Sequence, residues 1–337
     1  MPWTTYTARA LDRLGQTVVT FDSGSLTLDR LTLLKGRKLA GFVPGLSGLL
    51  DRLRRAWHQA RDRRLLRTVH EIRPDLILVL WGRSLTPELL GSLKAHARCP
   101  LVTWWCDDPF RHSVEGLLPY YDIFFVFDRS YMARLLRAGA ADVRFLPCAC
   151  DETVYRPKTL SRAEQARYRC DIALVAWCYP RRVEVVNALA DFDLKIWGRG
   201  WRSAQARKSL NGTGRRLIQG ERFISDEESA TIYNIAKIGL NIHSDQTHEA
   251  GLNTRAFEEL ATGTFELMDA VPGMEELLVP GEEVAVFHSP GEARELAEYY
   301  LRNPARRTHI AARGRARTLS EHTYVHRMRT LLSAVGE

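Results

Sequence analysis

The strongest constraint on the fold is a repeated alternation between short apolar runs and longer helical segments. Runs rich in β-branched and aromatic residues, such as 76–81 and 101–105, are separated by segments of helical character, such as 86–97. This order is typical of βαβ units, in which helices connect parallel strands. The sequence therefore predicts an α/β protein built on parallel sheets.

Two such series follow one another. The strands predicted in the first series are 17–22, 76–81, 101–105, 123–127 and 143–146. Those predicted in the second series are 171–176, 193–197, 239–243, 264–268 and 284–287. A polar connection from Pro147 to Lys158 separates the series, and 337 residues are enough for two domains of ordinary size. We expect an N-terminal domain over 1–155 and a C-terminal domain over 156–337 that ends in helices.

The start of the chain departs from the usual Rossmann-like pattern. A helical stretch at 6–14 stands where a first strand is expected, so the N-terminal domain lacks a recognisable first strand and turn. In the second half, the predicted helices are 181–189, 226–237, 254–262, 291–303 and a C-terminal pair. Ser225 and Glu228 have the spacing of a capping box, and Gly263 stands where a left-handed residue would end a helix.

The positive charge is confined to the first half of the chain. The net charge of +8 lies entirely within residues 1–150, and eight arginines fall between Arg52 and Arg73 on a segment with helical apolar spacing. The simplest interpretation is a solvated face of a helix. The alternatives are docking on an anionic membrane face or on an anionic acceptor. Nucleic acid is not expected as a partner, because no recognition motif accompanies the charge.

Composition and cysteine usage favour a soluble cytoplasmic protein. No apolar run approaches the roughly 20 residues of a spanning helix, and no signal peptide is recognisable. The six cysteines form no CxxC pair and are typical of thiols in a reducing compartment. The arginine-rich segment could add peripheral contact at the inner membrane face.

Ligands of open parallel sheets bind outside the carboxyl ends of the strands, so the candidate site residues are those that follow strands. Asp107 and Asp108 follow the strand at 101–105. Asp107 is a candidate base or hydroxyl contact. Asp108, which precedes Pro109, could instead simply form a turn.

The next candidates follow the first two strands of the second half. Tyr179, Arg181 and Arg182 open a helix, and a helix N-terminus with two arginines suits a diphosphate. Gly198 begins a flexible loop that contains Trp201, for which a structural turn is an equal alternative.

The densest candidate site extends from His243 to Glu259. Phosphate could bind the N–H groups at Asn253, Thr254 and Arg255, with Glu258 accepting from ribose hydroxyls. The alternative is a capped helix with solvated charges. A metal site is rejected, because His243 and His248 lack a third ligand at a characteristic spacing.

Several segments resemble the CgeB-like (spore maturation protein) glycosyltransferases. The most similar stretches are 238–243, 253–265, 268–269, 280–283, 299–301 and 322–327. Three segments of the first half, 73–78, 106–109 and 146–151, are also similar to the family. The resemblance implies a GT-B fold, in which two Rossmann-like domains face each other across a cleft and the second binds a nucleotide-sugar.

The resemblance also implies roles for individual residues. By similarity to the broader group 1 glycosyltransferases, Glu258 matches the second Glu of an E-x7-E motif, the ribose ligand. The first Glu would fall at Ala250, so Glu249 lies one residue early and would contact the donor sugar if the loop bulges. The nucleobase would lie near Gly198 and Arg222. Arg181 and Arg182 remain candidates for the phosphates, although the family's glycine after the first strand is replaced.

We therefore expect a glycosyltransferase that transfers a sugar from a nucleotide-sugar donor to an unidentified acceptor. It is expected to need neither a metal nor a cofactor. Retention of configuration is favoured over inversion. The alternatives are a sugar-nucleotide epimerase of the same fold and a non-catalytic nucleotide-sugar-binding module. Glu249 and Asp107 are the candidate catalytic residues. His243 is included among the donor-binding residues.

Overall fold

The computed structural model describes residues 2–21, 46–82, 84–212 and 214–336. The strands are β1 (Ile77–Leu80), β2 (Leu101–Trp105), β3 (Ile123–Val126), β4 (Val143–Phe145), β5 (Ile172–Val175), β6 (Leu194–Trp197), β7 (Ile218–Gly220), β8 (Ile238–Asn241), β9 (Phe265–Asp269) and β10 (Ala285–Phe287).

The helices divide at the connection between the two series. Those of the first half are α1 (Pro2–Arg13), α2 (Leu46–Ile72), α3 (Pro87–Ala97) and α4 (Met132–Arg137). Those of the second half are α5 (Arg162–Tyr168), α6 (Pro180–Ala188), α7 (Ala204–Ser209), α8 (Asp226–Ile235), α9 (Thr254–Ala261), α10 (Pro290–Arg302), α11 (Pro304–Glu321) and α12 (Tyr324–Gly336). Short 3-10 helices occur at Pro109–His112, Val114–Tyr120, Arg129–Tyr131, Gly214–Leu217 and Met274–Glu276. None of the helices in the described ranges is long and apolar enough to cross a membrane.

The first four strands form one parallel sheet in the order β1-β2-β3-β4. Ile77 lies opposite Leu101 in the register of β1 and β2. Every residue of β2 and β3 is buried, as expected for inner strands of a parallel sheet that is covered on both faces. Strand and helix therefore alternate here as the sequence predicts.

The other six strands form a parallel sheet in the order β10-β9-β8-β5-β6-β7. Counted from β5, this is the 3-2-1-4-5-6 order of doubly wound folds. The order reverses between β5 and β8, where Ile172 lies opposite Ile238. Apolar side chains of β5, β6, β8 and β9 form one buried core with α6 and α10. A crevice for ligands is expected at the carboxyl ends of β5 and β8.

The chain divides into two compact units by its contacts. Unit one contains Met1–Gln16, Val126–Met132 and Phe145–Glu337, and unit two contains Thr17–Phe125 and Ala133–Arg144. The sequence places α1 with the first domain, whereas its contacts place it with the six-stranded sheet. Tyr6 accounts for part of this, since its ring lies 5.5 Å from that of Tyr324 on α12.

The predicted fold class is confirmed in its two parallel α/β sheets, and nine of the ten predicted strands form within two residues of their expected bounds. The strand predicted at 17–22 is wrong over 17–21, which is irregular, and Asp22 lies outside the described residues. Val19 is 56% exposed, so its β-branched side chain lacks the sheet face that a strand needs. The sequence also missed β7, a three-residue edge strand too short to show a period.

The arginine-rich segment is helical, as predicted, within α2. Its face is not uniformly solvated, because Arg61 is buried and its Nη2 contacts Asp62 Oδ1 at 2.6 Å and the Ser84 carbonyl at 3.1 Å. Leu53, by contrast, is 57% exposed. The helix therefore presents exposed arginines together with an exposed leucine.

Both predicted helix-end signals are present, although the capping box at Ser225 forms only in part. Ser225 Oγ accepts from the Glu228 N–H at 3.3 Å, but the Glu228 carboxylate contacts Arg222 and Tyr168 instead of closing the capping box. Gly263 has φ +85 and follows α9 in the left-handed conformation.

Candidate active site

The carboxyl ends of β5 and β8 bring two of the predicted segments to one edge of the six-stranded sheet. Residues 176–182 lead from β5 into α6, and residues 242–255 lead from β8 into α9. Because β5 and β8 are parallel neighbours, both segments leave the sheet at the edge where doubly wound folds bind ligands.

Arg182 joins these two segments. Its Nε and Nη2 donate to the Ile242 carbonyl at 2.8 and 2.7 Å, and its Nη1 donates to the Trp177 carbonyl at 2.8 Å. Burial, followed by the charge of Arg255, lowers the pKa of the Arg182 guanidinium to about 9. The side chain therefore ties two loops together, and its contact with phosphate stays a prediction.

Arg181 and Tyr179 are exposed at the same helix start. Arg181 Nη2 lies 3.1 Å from Asp269 Oδ2, and 58% of its side chain is exposed. Tyr179 is the N-cap residue of α6, and its ring lies 4.8 Å from Cζ of Arg182. An exposed guanidinium held by one carboxylate keeps donors available for an anion.

His243 and Asp269 form a buried pair at the ends of β8 and β9. His243 Nδ1 lies 2.8 Å from Asp269 Oδ1, which also accepts the His243 backbone N–H at 2.8 Å. Burial raises the pKa of Asp269, but the His243 contacts and the charge of Arg181 outweigh it and hold that pKa below its usual range. His243 Nε2 has no hydrogen-bond partner among the described residues. The pair therefore fixes the imidazole through one nitrogen, and the other nitrogen is buried without a partner among the described residues.

The first turn of α9 is anchored to the central strands. Asn253 Oδ1 accepts from the Ala256 N–H at 3.2 Å, and the side-chain amides of Asn253 and Asn241 exchange hydrogen bonds at 2.9 and 3.1 Å. Arg255 donates from Nε to the Val175 carbonyl and from Nη1 to Asn241 Oδ1, both at 2.9 Å. The helix begins at Thr254, so its N-terminal N–H groups are fixed at the ligand edge.

Glu258 lies one turn further along α9 and has a raised pKa. Burial and the charge of Asp226 raise the pKa of Glu258 to about 8, although Arg255 and hydrogen bonds with Thr254 and Tyr155 oppose the shift. This carboxyl therefore takes up a proton more readily than an ordinary glutamate, and its protonated form can donate as well as accept a hydrogen bond.

Glu249 has an exposed side chain on a firmly held backbone. Its N–H donates to Asp128 Oδ2 and its carbonyl accepts from the Arg129 N–H, both at 3.0 Å. The next residue, Ala250, has φ +54 and donates to the Pro272 carbonyl at 2.7 Å. A non-glycine residue in the left-handed region is uncommon, so the backbone turns sharply at Ala250, and contact of Glu249 with the donor sugar stays a prediction.

The loop that begins at Gly198 is close-packed on β5. Gly198 has φ +140, and a Cβ there would lie 2.0 Å from the Ala176 carbonyl oxygen. The Glu221 carboxylate holds the same loop by accepting from the Gly200 and Arg202 N–H groups at 2.6 and 3.0 Å. A structural reason for glycine is therefore present, and contact with a nucleobase stays a prediction.

Arg222 follows this loop along the chain, and its side chain contacts residues close to it in sequence. Its Nη2 donates to Glu228 Oε1 at 2.5 Å and its Nη1 donates to the Phe223 carbonyl at 3.1 Å. The side chain is half exposed, so a ligand could still reach it.

Asp107 lies in unit two, at the end of β2. Its Oδ2 lies 3.3 Å from His112 Nε2, and the His112 ring lies 5.9 Å from that of Trp105 and 6.1 Å from that of Trp81. Asp108 Oδ1 accepts from the Phe110 N–H at 3.0 Å, which confirms the turn interpretation for that residue. The sequence analysis selected the Asp107 carboxylate but missed its imidazole partner, His112.

Some predicted residues come together and others do not. Arg181 and His243 meet through Asp269, while Asn253 and Arg255 meet through Asn241. Gly198 instead contacts β7 and the residue that follows β5, and Arg222 contacts α8. Asp269 and Asn241 were missed, although a polar residue within an apolar strand could have marked each. No group of three or more metal-ligating side chains occurs in the part of the chain that the structure describes.

Known proteins resemble this chain in sequence. A family model described as "Glycosyl transferase-like" matches residues 181–333. Spore protein CgeB of Bacillus subtilis (strain 168) is 20% identical over 272 residues, which cover 77% of this chain and 82% of that protein.

Solved glycosyltransferase structures share the fold. Anabaena Alr3699/HepE, solved in complex with UDP and glucose, has a TM-score of 0.61 at 15% identity, covering 82% of this chain and 81% of that one. Sucrose-phosphate synthase of Thermosynechococcus elongatus has a TM-score of 0.57 at 18% identity, covering 77% and 73%. A glycosyltransferase of Rickettsia africae has a TM-score of 0.61 at 11% identity, covering 81% and 79%. The predicted resemblance is thus confirmed: the chain has the fold of GT-B glycosyltransferases, is related to CgeB, and matches the glycosyl transferase-like family over residues 181–333.

Proposed function

We propose that the protein transfers a glycosyl group from a nucleotide-sugar donor to an acceptor hydroxyl. The observation that carries the proposal is the combination, at one sheet edge, of an exposed guanidinium, a helix N-terminus and a buried His–Asp pair. Arg181, the first turn of α9 and His243 supply these groups. Cationic and N–H donors are the groups that bind a diphosphate and stabilise it as it leaves.

The donor is divided among these groups. Arg181, Arg255 and the N–H groups at Asn253 and Thr254 bind the diphosphate, and Arg182 holds the loops that carry them. His243 is proposed to act at the donor site by holding Asp269, the carboxylate that contacts Arg181. The Anabaena protein, whose structures contain UDP, UDP-glucose, or UDP and glucose, supports this class of donor.

The nucleoside and the sugar lie at the two ends of this diphosphate. Glu258 binds the ribose hydroxyls, and Glu249 contacts the donor sugar. The nucleobase lies near Tyr179, Gly198 and Arg222. In the reaction the bond from the anomeric carbon to the diphosphate breaks, and a bond to the acceptor oxygen forms. The acceptor proton passes to a base or to the departing phosphate.

Retention of the anomeric configuration is the outcome we favour. It follows from the match of Glu258 to the second Glu of the E-x7-E motif, with Glu249 beside the kink at Ala250. Proton NMR of the first-formed product decides this, because the coupling constant of the anomeric proton separates the two stereoisomers.

The reaction is proposed to need no metal ion. Two guanidinium groups and a helix N-terminus supply the positive charge that a bound cation otherwise gives to the leaving group. Activity in excess EDTA equal to that in Mg²⁺ supports this, and a loss that Mg²⁺ restores contradicts it.

Asp107 is proposed as the base or as a contact to the acceptor. Its carboxylate lies at the end of a strand in unit two and faces an imidazole nitrogen of His112. An acid–base pair of this kind can accept a proton from an acceptor hydroxyl.

The acceptor is proposed to be anionic or membrane-associated, with α2 as the contact. Its exposed arginines and exposed Leu53 suit an anionic surface. Co-sedimentation with vesicles containing about 30% phosphatidylserine, but not with pure phosphatidylcholine, is the expected result. It should weaken as salt rises.

The decisive experiment combines binding and turnover. A panel of nucleotides and nucleotide-sugars is screened by thermal shift, and Glu258→Ala is compared with wild type. The variant should fold but lose transfer, whereas full activity in it contradicts the site. An isomerised donor sugar would indicate an epimerase, and donor binding without any reaction would indicate a non-catalytic module.

A further inference from the structure

We propose that Asp128 is a positioning residue that holds Glu249 in place to recognise the donor sugar. The proposal rests on the proposed function, because it assigns Glu249 to the sugar. Asp128 follows β3 and lies 120 residues before the loop it contacts, in a part of the chain assigned to unit one. Nothing in its local sequence marks it as part of a site.

The Asp128 carboxylate is fully buried and saturated with hydrogen bonds. Its Oδ1 accepts from the Ser130 N–H at 2.9 Å and from Ser130 Oγ at 2.6 Å. Its Oδ2 accepts from the His248 N–H at 2.6 Å and from the Glu249 N–H at 3.0 Å. The residue has 0% exposure, so these four bonds replace its contact with water.

Only a carboxylate satisfies this arrangement. An ionised carboxylate only accepts, through about four lone-pair directions, and four donors occupy them here. Asparagine would turn an NH2 group either toward the donors of Ser130 or toward those of His248 and Glu249. The four donors therefore require an aspartate at position 128.

Neighbouring residues hold the same loop at further points. The Arg129 N–H donates to the Glu249 carbonyl at 3.0 Å, and the Tyr131 hydroxyl donates to the Gln246 carbonyl at 2.6 Å. Gly251 packs so closely that a Cβ there would lie 2.1 Å from Asp128 Oδ2. The segment 128–131 thus fixes both backbone groups of Glu249 and leaves its side chain exposed.

This arrangement separates sugar recognition from nucleotide recognition. Arg181 and Arg255, assigned to the diphosphate, are anchored to Asp269, Val175 and Asn241, and not to Asp128. Loosening the loop should therefore weaken contact with the sugar and spare contact with the nucleotide. A displacement of a contact group by about 1 Å is enough to change binding or rate strongly.

The test compares Asp128→Asn with Asp151→Asn. Asp151 is a matched control, because it is also buried and accepts from the N–H of the residue two positions on, Thr153, at 2.9 Å. Calorimetry gives the dissociation constants of UDP and UDP-glucose, and hydrogen exchange follows the amides of 244–251. Asp128→Asn should weaken UDP-glucose about tenfold and UDP less than about twofold, with faster exchange in the loop. Asp151→Asn should change neither the ratio of the UDP and UDP-glucose dissociation constants nor the hydrogen exchange of residues 244–251.

Other outcomes overturn the proposal. Equal loss of UDP and UDP-glucose, or an unchanged ratio with unchanged exchange, shows that Asp128 does not position the sugar contact. If Asp128→Asn fails to fold, Tyr131→Phe removes one anchor of the same loop. It should shift the ratio in the same direction by a smaller factor, and an unchanged ratio counts against the proposal.

If the wild-type protein binds neither UDP nor UDP-glucose, the proposed function is wrong, and so is the assignment of Glu249 to the donor sugar. The exchange rates then still decide whether Asp128 anchors the loop.

Discussion

The carboxyl ends of the two sheets carry different chemistry on the same βαβ architecture. At the six-stranded sheet, β5, β8 and β9 are followed by an exposed arginine, a helix N-terminus and a buried His–Asp pair. At the four-stranded sheet, the aromatic rings of Trp81 and Trp105 surround one imidazole, which faces Asp107. The first edge suits an anionic ligand, and the second offers apolar faces with a single acid–base pair.

This difference shows that the sheets supply the location and the following residues supply the chemistry. Both edges consist of parallel strand ends, yet only the first concentrates cationic and N–H donors. Donor binding and acceptor chemistry should therefore respond to different substitutions.

The largest expected effect is on the backbone packing beside the charged edge, where the loop after β6 contacts the end of β5. Gly198→Ala places a Cβ 2.0 Å from the Ala176 carbonyl oxygen and forces an L-residue to φ +140. We expect the free energy of unfolding to fall by about 3–5 kcal/mol, measured in urea. Gly212→Ala, with no atom within 4 Å of the new Cβ, should change it by less than about 1 kcal/mol. Equal effects of the two substitutions would show that the loop adapts freely.

The second effect concerns the aromatic edge. Asp107→Asn removes the charge that faces His112, so transfer should fall about 100-fold while the dissociation constant of the donor stays within about twofold. Initial rates of transfer and calorimetry measure the two quantities. Glu115→Gln, an exposed change on the following 3-10 helix, is the control and should leave both unchanged. A parallel loss of donor affinity would mean that the two edges are not separate in function.

The third effect separates two adjacent arginines of the charged edge. Arg182→Met leaves the buried Ile242 carbonyl and the part-buried Trp177 carbonyl without their donor, so unfolding should require about 2 kcal/mol less. Arg181→Met should change stability by less than about 1 kcal/mol but weaken UDP binding about tenfold. Urea titration and calorimetry measure these effects. The opposite pattern would exchange the roles assigned to the two residues.

Such pairs show what a sequence can predict and what it cannot. The alternation of apolar runs and helices located nine strands, and the rule of strand ends then selected Asp107, Arg181 and His243. Which of two adjacent arginines is buried depends on the rotation of α6 against β8. No local pattern of the sequence contains that information.

Long-range partners are the second limit. Asp128 contacts a loop 120 residues away, and its side chain satisfies donors that the sequence near it does not show. The strand predicted at 17–22 fails for a related reason. Val18 and Val19 are residue types that strands favour, but a strand also needs a neighbour to pair with and a face to bury.

The smallest expected effect is the pH dependence of stability at the charged edge. The pKa of Glu258 rises from 4.5 to about 8 on folding, so the folded state binds more protons than the unfolded state between these values. Stability from this group is complete below pH 4.5 and is lost as pH rises through about 8. Wild type should therefore lose about 1 kcal/mol more than Glu258→Gln between pH 6 and 8, after allowance for the partial exposure of the side chain.

Urea unfolding without ligand at the two pH values measures this difference. Burial also raises the pKa of the neighbouring Glu259, so part of the slope persists in Glu258→Gln, and the difference between the two proteins reports Glu258 together with the effect of its charge on Glu259. Glu249→Gln, on the exposed loop, is the matched control and should keep the wild-type slope. Identical slopes in wild type and Glu258→Gln would mean that Glu258 is ionised at neutral pH. It would then bind ribose hydroxyls only as an acceptor, and the charged edge would carry one more negative charge than its geometry indicates.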